Sequence, residues 1–143
     1  MDFFKRLFGS PEEEGVVDYY REGTELLRAG RYHEALTSFR IALRDRPKDV
    51  AILQQIAITY TRIGMTDEAA KTYQSVLERS PDAVGAHYGL AFLHLTEGRA
   101  AEAMQHLRSF LASPPQEPEA EEHVAHARAT LSRLEDESIE SAS

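Results

Sequence analysis

Six histidines, His33, His87, His94, His106, His123 and His126, are the side chains of this 143-residue chain best suited to chemistry. An imidazole can ligate zinc or carry a proton near neutral pH. His123 and His126 are three apart and would share one face of a helix, with Glu119 or Glu122 as the nearby carboxylate. A solvated helix surface gives the same spacing, and that is the favoured reading, so no metal site is expected. His87 and His94 fall on interior positions of the repeat described below and are expected to be hydrogen-bonded structural histidines. His33 and His106 carry no pattern. Neither a G-x-S-x-G elbow nor an H-E-x-x-H pair occurs, and Gly85 and Gly89 lie within a helical pattern, not after a strand. The acidic pairs Asp67-Glu68 and Glu121-Glu122 read as first-turn carboxylates, which favour the positive end of a helix dipole. The inventory points away from an enzyme, a cofactor and a metal.

The elements that would position these residues repeat. Gly30, Gly64 and Gly98 are spaced at a constant interval, as are Ala35, Ala69 and Ala103, then Phe39, Tyr73 and Leu107, then Pro47, Pro81 and Pro115. The interval is 34 residues without gaps, the mark of an array of helical hairpins. Helices are predicted over roughly 16–29 with 32–45, 50–63 with 66–79, and 84–97 with 100–112. Each pair turns at one of the three glycines, and each second helix stops near a proline. Ala120, Val124, Ala127, Leu131 and Leu134 then mark one apolar stripe of a seventh helix. The predicted organisation is an N-terminal apolar-basic segment and linker (1–15), three units (16–49, 50–83 and 84–117), a capping helix (118–137) and a flexible tail (138–143).

Composition bounds the rest. Cysteine is absent, which excludes disulfides and thiolate metal sites and favours a cytoplasmic location. Apolar runs fall far short of a membrane span. The net charge of −8 sits in the ends: residues 16–116 hold 12 acidic and 12 basic side chains, whereas residues 117–143 hold 8 acidic and 2 basic. With no basic stripe to release counterions from phosphates, nucleic acid is not an expected partner.

The pattern resembles the tetratricopeptide repeat (TPR) family over residues 16–117. The first copy reads Tyr19, Glu22, Gly23, Leu26, then Ala35, Phe39, Ala42, Pro47. The second reads Leu53, Ile56, Ala57, Tyr60, then Ala69, Tyr73, Val76, Pro81. The third reads His87, Leu90, Ala91, His94, then Ala103, Leu107, Phe110, Pro115. The family signature has tryptophan and leucine where this chain has no tryptophan and has Glu22. The resemblance implies an all-α, right-handed α-α superhelix of three hairpins plus a capping helix.

It also implies a concave face lined by the first helix of each pair. The residues that would form a partner-binding groove are Tyr20, Thr24, Leu27, Arg28, Gln54, Ile58, Arg62, Tyr88 and Phe92. Aromatic and arginine side chains are the usual anchors of binding surfaces. The capping helix could itself cover Phe92 and Leu95. The Lys, Asn and Arg set with which chaperone-binding members hold a terminal carboxylate is missing, since Tyr20, Thr24, Gln55, Gly85 and Gly89 stand at those slots. The expected function is an adaptor or scaffold that binds a peptide or helical segment of another protein. The alternatives are a homo-oligomeric scaffold and a chaperone for a hydrophobic secretion client. Phe3, Phe4, Leu7 and Phe8 form an apolar side opposite Lys5 and Arg6, a docking segment for self or partner whose membrane contact would be at most weak and peripheral.

Overall fold

The structure, a computed structural model, describes residues 17–142. The docking segment at Phe3, Phe4, Leu7 and Phe8 lies outside the described residues. Six helices form three hairpins: α1 (Tyr19–Arg28) with α2 (Tyr32–Asp45), α3 (Val50–Ile63) with α4 (Thr66–Arg79), and α5 (Val84–Thr96) with α6 (Ala100–Ala112). A 3-10 turn (Pro118–Ala120) then leads into α7 (Glu121–Ala142). No strand occurs among the described residues.

The turns repeat in detail. Gly64 ends α3 at φ 92°, in the left-handed region where a Cβ would clash, and Gly30 and Gly98 match it at 79° and 73°. The amide one residue later reaches back to the same carbonyl slot each time: Arg31 to Leu26, Met65 to Tyr60 and Arg99 to His94, each at 2.9 Å. Asp18 and Asp49 cap α1 and α3, accepting from the amides of Arg21 (3.0 Å) and Ile52 (3.2 Å). The Asp18 cap sets the start of α1 at Tyr19, three residues after the predicted start.

Each helix packs on its neighbours in sequence, and α1 also touches α3, as α3 touches α5. The first helices are thus drawn together on the inner side of a right-handed superhelix of three hairpins plus a cap. Small residues permit the approach. A Cβ on Gly23 would lie 2.6 Å from the Phe39 ring, and Ala35, Ala57, Ala69, Ala91 and Ala103 are fully buried. Glu22 has a physical reason for its departure from the leucine slot: its carboxylate accepts from the Ser38 hydroxyl at 2.8 Å across the α1–α2 pair. Ala69→Leu puts an isobutyl group where no space remains. It is expected to lower stability by about 1–3 kcal/mol, read as a fall in thermal midpoint; an unchanged midpoint would contradict this packing.

Two apolar clusters form. One runs through the first two hairpins and reaches Ala86, Leu90 and Leu93 of α5. The other joins Ala91, Leu107 and Phe110 to Ala127 and Leu134 of α7. Helix α7 runs on through Ala142, five residues past the predicted end of the capping helix at 137. Neither glycine nor proline follows Pro118, and an Arg133–Glu137 pair at 2.9 Å ties the last turns one helical repeat apart.

Candidate functional site

The inner face holds a cleft of about 510 Å³ between α3, α5 and the start of α7. That is within the size range of ligand pockets. Ile58, Thr61 and Arg62 line it from α3, Tyr73 from α4, and Tyr88, Gly89 and Phe92 from α5. Phe110, Pro115, Ala120 and His123 close the other side. The spacing of 58, 61 and 62, and of 85, 88, 89 and 92, is the three- and four-residue step that puts side chains on one helical face.

The floor is aromatic. The Tyr88 ring lies 4.8 Å from Phe92 and 5.1 Å from Phe110, centroid to centroid. Tyr73 reaches the floor because Gly89 has no side chain: a Cβ there would sit 2.3 Å from the Tyr73 ring. Burial pushes the Tyr73 phenol above its ordinary titration range, against a smaller opposing pull from a Thr61 hydrogen bond and the Arg62 charge. Burial also raises Tyr88. Both hydroxyls are therefore neutral at physiological pH and can donate or accept a hydrogen bond in a largely apolar hollow. Arg62 is exposed and makes no ion pair among the described residues.

Of the groove residues read from the sequence, Ile58, Arg62, Tyr88 and Phe92 converge on this cleft. Gln54 borders it, since its amide end lies 2.9 Å from where a Gly85 Cβ would stand. The α1 residues do not join them. Tyr20 is half-buried with its ring 6.0 Å from Phe39, and Leu27 packs on the same cluster. The Thr24 hydroxyl donates to the Tyr20 carbonyl at 2.9 Å, and Arg28 is exposed in the last turn of α1. Tyr73, Phe110, Pro115 and Ala120 were missed. Each lies outside the first helices, and only the fold brings it to the inner face.

The histidines also rearrange the expectation. His123 meets Tyr88 edge-on at 5.2 Å, and His126 stacks on Phe92 at 4.9 Å with 15° between planes. The start of α7 thus covers part of Phe92 and forms one wall of the cleft. His94 departs from the hydrogen-bonded histidine expected: its buried Nδ1 has no hydrogen-bond partner among the described residues, and Glu97 stands 3.9 Å away. No group of three or more metal-ligating side chains is arranged for an ion among the described residues, and no described helix is long and apolar enough to cross a membrane.

Comparison with known proteins gives the same architecture. Two tetratricopeptide repeat models match, over residues 20–53 and 64–129. The chain is 38% identical to a TPR repeat-containing protein of Methanocaldococcus jannaschii, over 50% of this chain and 16% of that one. It is 30% identical to the photosystem I assembly protein Ycf3 of Prochlorococcus marinus, over 64% of this chain and 54% of that one. The chain therefore spans between about a sixth and about a half of these curated relatives. The fold is similar to that of the type III secretion translocator chaperone SycD of Yersinia enterocolitica, with TM-score 0.77, 18% identity and coverage of 84% and 83% of the two chains. That chaperone has also been solved with a peptide of the translocator YopD. The first TPR of Spaghetti (RPAP3), solved with an HSP90 peptide, is similar with TM-score 0.71 and 15% identity, over 82% of this chain and 88% of that one.

Proposed function

The chain belongs to the tetratricopeptide repeat family, and from that premise we propose that it is an adaptor which holds a segment of another protein in its concave cleft, and not a catalyst. The single observation that carries this reading is the aromatic floor of Tyr73, Tyr88 and Phe92 beside Ile58 and an exposed Arg62. Apolar anchors of the partner would be buried on the rings, and Arg62 would meet a carboxylate at the rim. Gln54 adds an amide that can bond an extended backbone. Tyr20, Thr24, Leu27 and Arg28 would extend the contact toward α1 for a longer segment. So small a groove suits an affinity of about micromolar Kd.

The likeness to translocator chaperones favours a second reading within the first. The segment held would be one that is poorly soluble when left in water.

The test is an Ile58→Ala, Arg62→Ala double variant. Both side chains lie toward the open side of α3, and neither is fully buried. The variant should keep the parent's helicity and melting behaviour while losing its partner in a pull-down. A photo-crosslinking side chain placed at Thr61 should capture that partner, whereas one at the exposed Glu78 of α4 should not. Undiminished capture by the double variant would refute the assignment of the cleft.

A further inference from the structure

Behind the cleft, on the side of α5 that meets α6, three imidazoles form a row. His87 and His94 are two turns apart on α5 and share a face. His106 of α6 lies between them. Its Nδ1 is 3.0 Å from His87 Nδ1, and its ring stacks on His94 at 5.4 Å with 15° between planes. His94 is nearly fully buried, His87 and His106 half-buried.

We infer that this row is a proton-operated latch for the cleft: in mildly acidic conditions it forces α5 and α6 apart and loosens the hold on whatever segment the cleft binds. The inference rests on the reading of the cleft as a binding site.

The tautomers explain why protons are unwelcome. His87 Nε2 lies 3.3 Å from the Pro81 carbonyl, which can only accept, so Nε2 carries the proton. His87 Nδ1 is then the acceptor, and His106 Nδ1–H donates to it. A second proton on His106 must go to Nε2. It would make a half-buried cation stacked on one imidazole and in contact with another.

Charges around the row offer incomplete relief. From the turn after α5, Glu97 stands 3.9 Å from His94 Nδ1, and from α6, Glu102 is held by Arg99 at 2.8 Å. On the α4 side the partner is the Pro81 carbonyl, and the α7 histidines, His123 and His126, lie against Tyr88 and Phe92 instead. No carboxylate is paired with His87 or His106 among the described residues. Burial first, then the neighbouring His87 and His94, hold the His106 imidazole below its ordinary range.

The sign follows. The folded chain keeps His106 neutral, and the unfolded chain takes up the proton near pH 6.5. The unfolded state then binds more protons, so this contribution to stability is complete above about that pH and is lost as pH falls from there through the lower folded value of His106. The route to the cleft is short. His87 precedes Tyr88 in sequence, and Phe110, one turn after His106, packs on Tyr88 at 5.1 Å.

The experiment is an imidazole and aromatic NMR titration of the full chain from about pH 8 to about pH 5, with thermal melts at both ends. Parent, His106→Gln and His33→Gln, the last at an exposed histidine of α2 outside the row and the cleft, are compared. The His106 signal should titrate below the ordinary histidine range, the Phe110 ring signals should move with the same midpoint, and the thermal midpoint should fall on acidification. His106→Gln should abolish the Phe110 transition and at least halve the acid-induced fall, while His33→Gln should retain both. His87→Gln serves the same purpose if His106→Gln does not fold. A His106 signal titrating at or above the ordinary range would overturn the latch. So would a Phe110 transition that survives His106→Gln or disappears in His33→Gln. The titration needs no partner. Its failure therefore leaves the cleft assignment standing, and a failed pull-down leaves the acid response standing.

Discussion

Phe39→Ala is expected to destabilise the protein by about 3–5 kcal/mol. The ring is fully buried on α2 and lies against the backbone of α1 at Gly23, with Tyr20 on its flank. Its removal leaves a cavity that rigid helices cannot collapse around. A loss of that size is a large part of the about 5–15 kcal/mol by which domains are stable. The damage should be unequal along the chain. Helix α1 has ten residues, too few to persist without its partner. Urea unfolding should show the lowered midpoint, and amide exchange in α1 should accelerate beyond that in α5. A cost under about 1 kcal/mol would mean that Phe39 does not clamp the first hairpin.

Gly89→Ala should act on stability and binding together. In an ordinary exposed helix interior the change would gain up to about 1 kcal/mol of helix propensity. Here the new methyl would meet Tyr73 Cζ at 2.3 Å and the phenol oxygen at 2.7 Å. The Tyr73 ring is buried, and the open volume beside it is the cleft it lines. The clash therefore outweighs the propensity gain, with a net cost of about 1–3 kcal/mol, and the ring is driven into the cleft. Partner affinity should fall about tenfold or more, equivalent to about 1.4 kcal/mol. Gly85→Ala is the control, because its methyl meets only the flexible amide end of Gln54. Equal melting and equal capture for the two variants would contradict this account of the floor.

These two sites show what the sequence discloses and what it withholds. The interval that aligns Gly30, Gly64 and Gly98 fixes the hairpins, because a turn that needs positive φ recurs only where glycine recurs. The stripe through Val124, Ala127, Leu131 and Leu134 likewise announces the cap, since one helix face must be covered. Ile58, Arg62, Tyr88 and Phe92 were legible as cleft residues because they share the inner face of first helices. Tyr73 was legible only as a space-filler between pairs. Its approach to the cleft depends on a glycine sixteen residues later on another helix. The Ser38–Glu22 bond and the histidine row were hidden for the same reason: each joins side chains across a hairpin, a relation that a pattern along one helix does not encode. The end of the capping helix was placed at 137, before the terminal residues 138–143, but without a breaker the helix runs on to Ala142.

Leu90 and Ala91 are consecutive on α5, yet they belong to different apolar clusters. That makes α5 a party wall between two compartments. One compartment holds most of the array, and the other is closed by the cap. A small tilt of this wall is felt on both sides at once, so a visitor in the cleft would brace the C-terminal compartment and the stack behind it in the same motion.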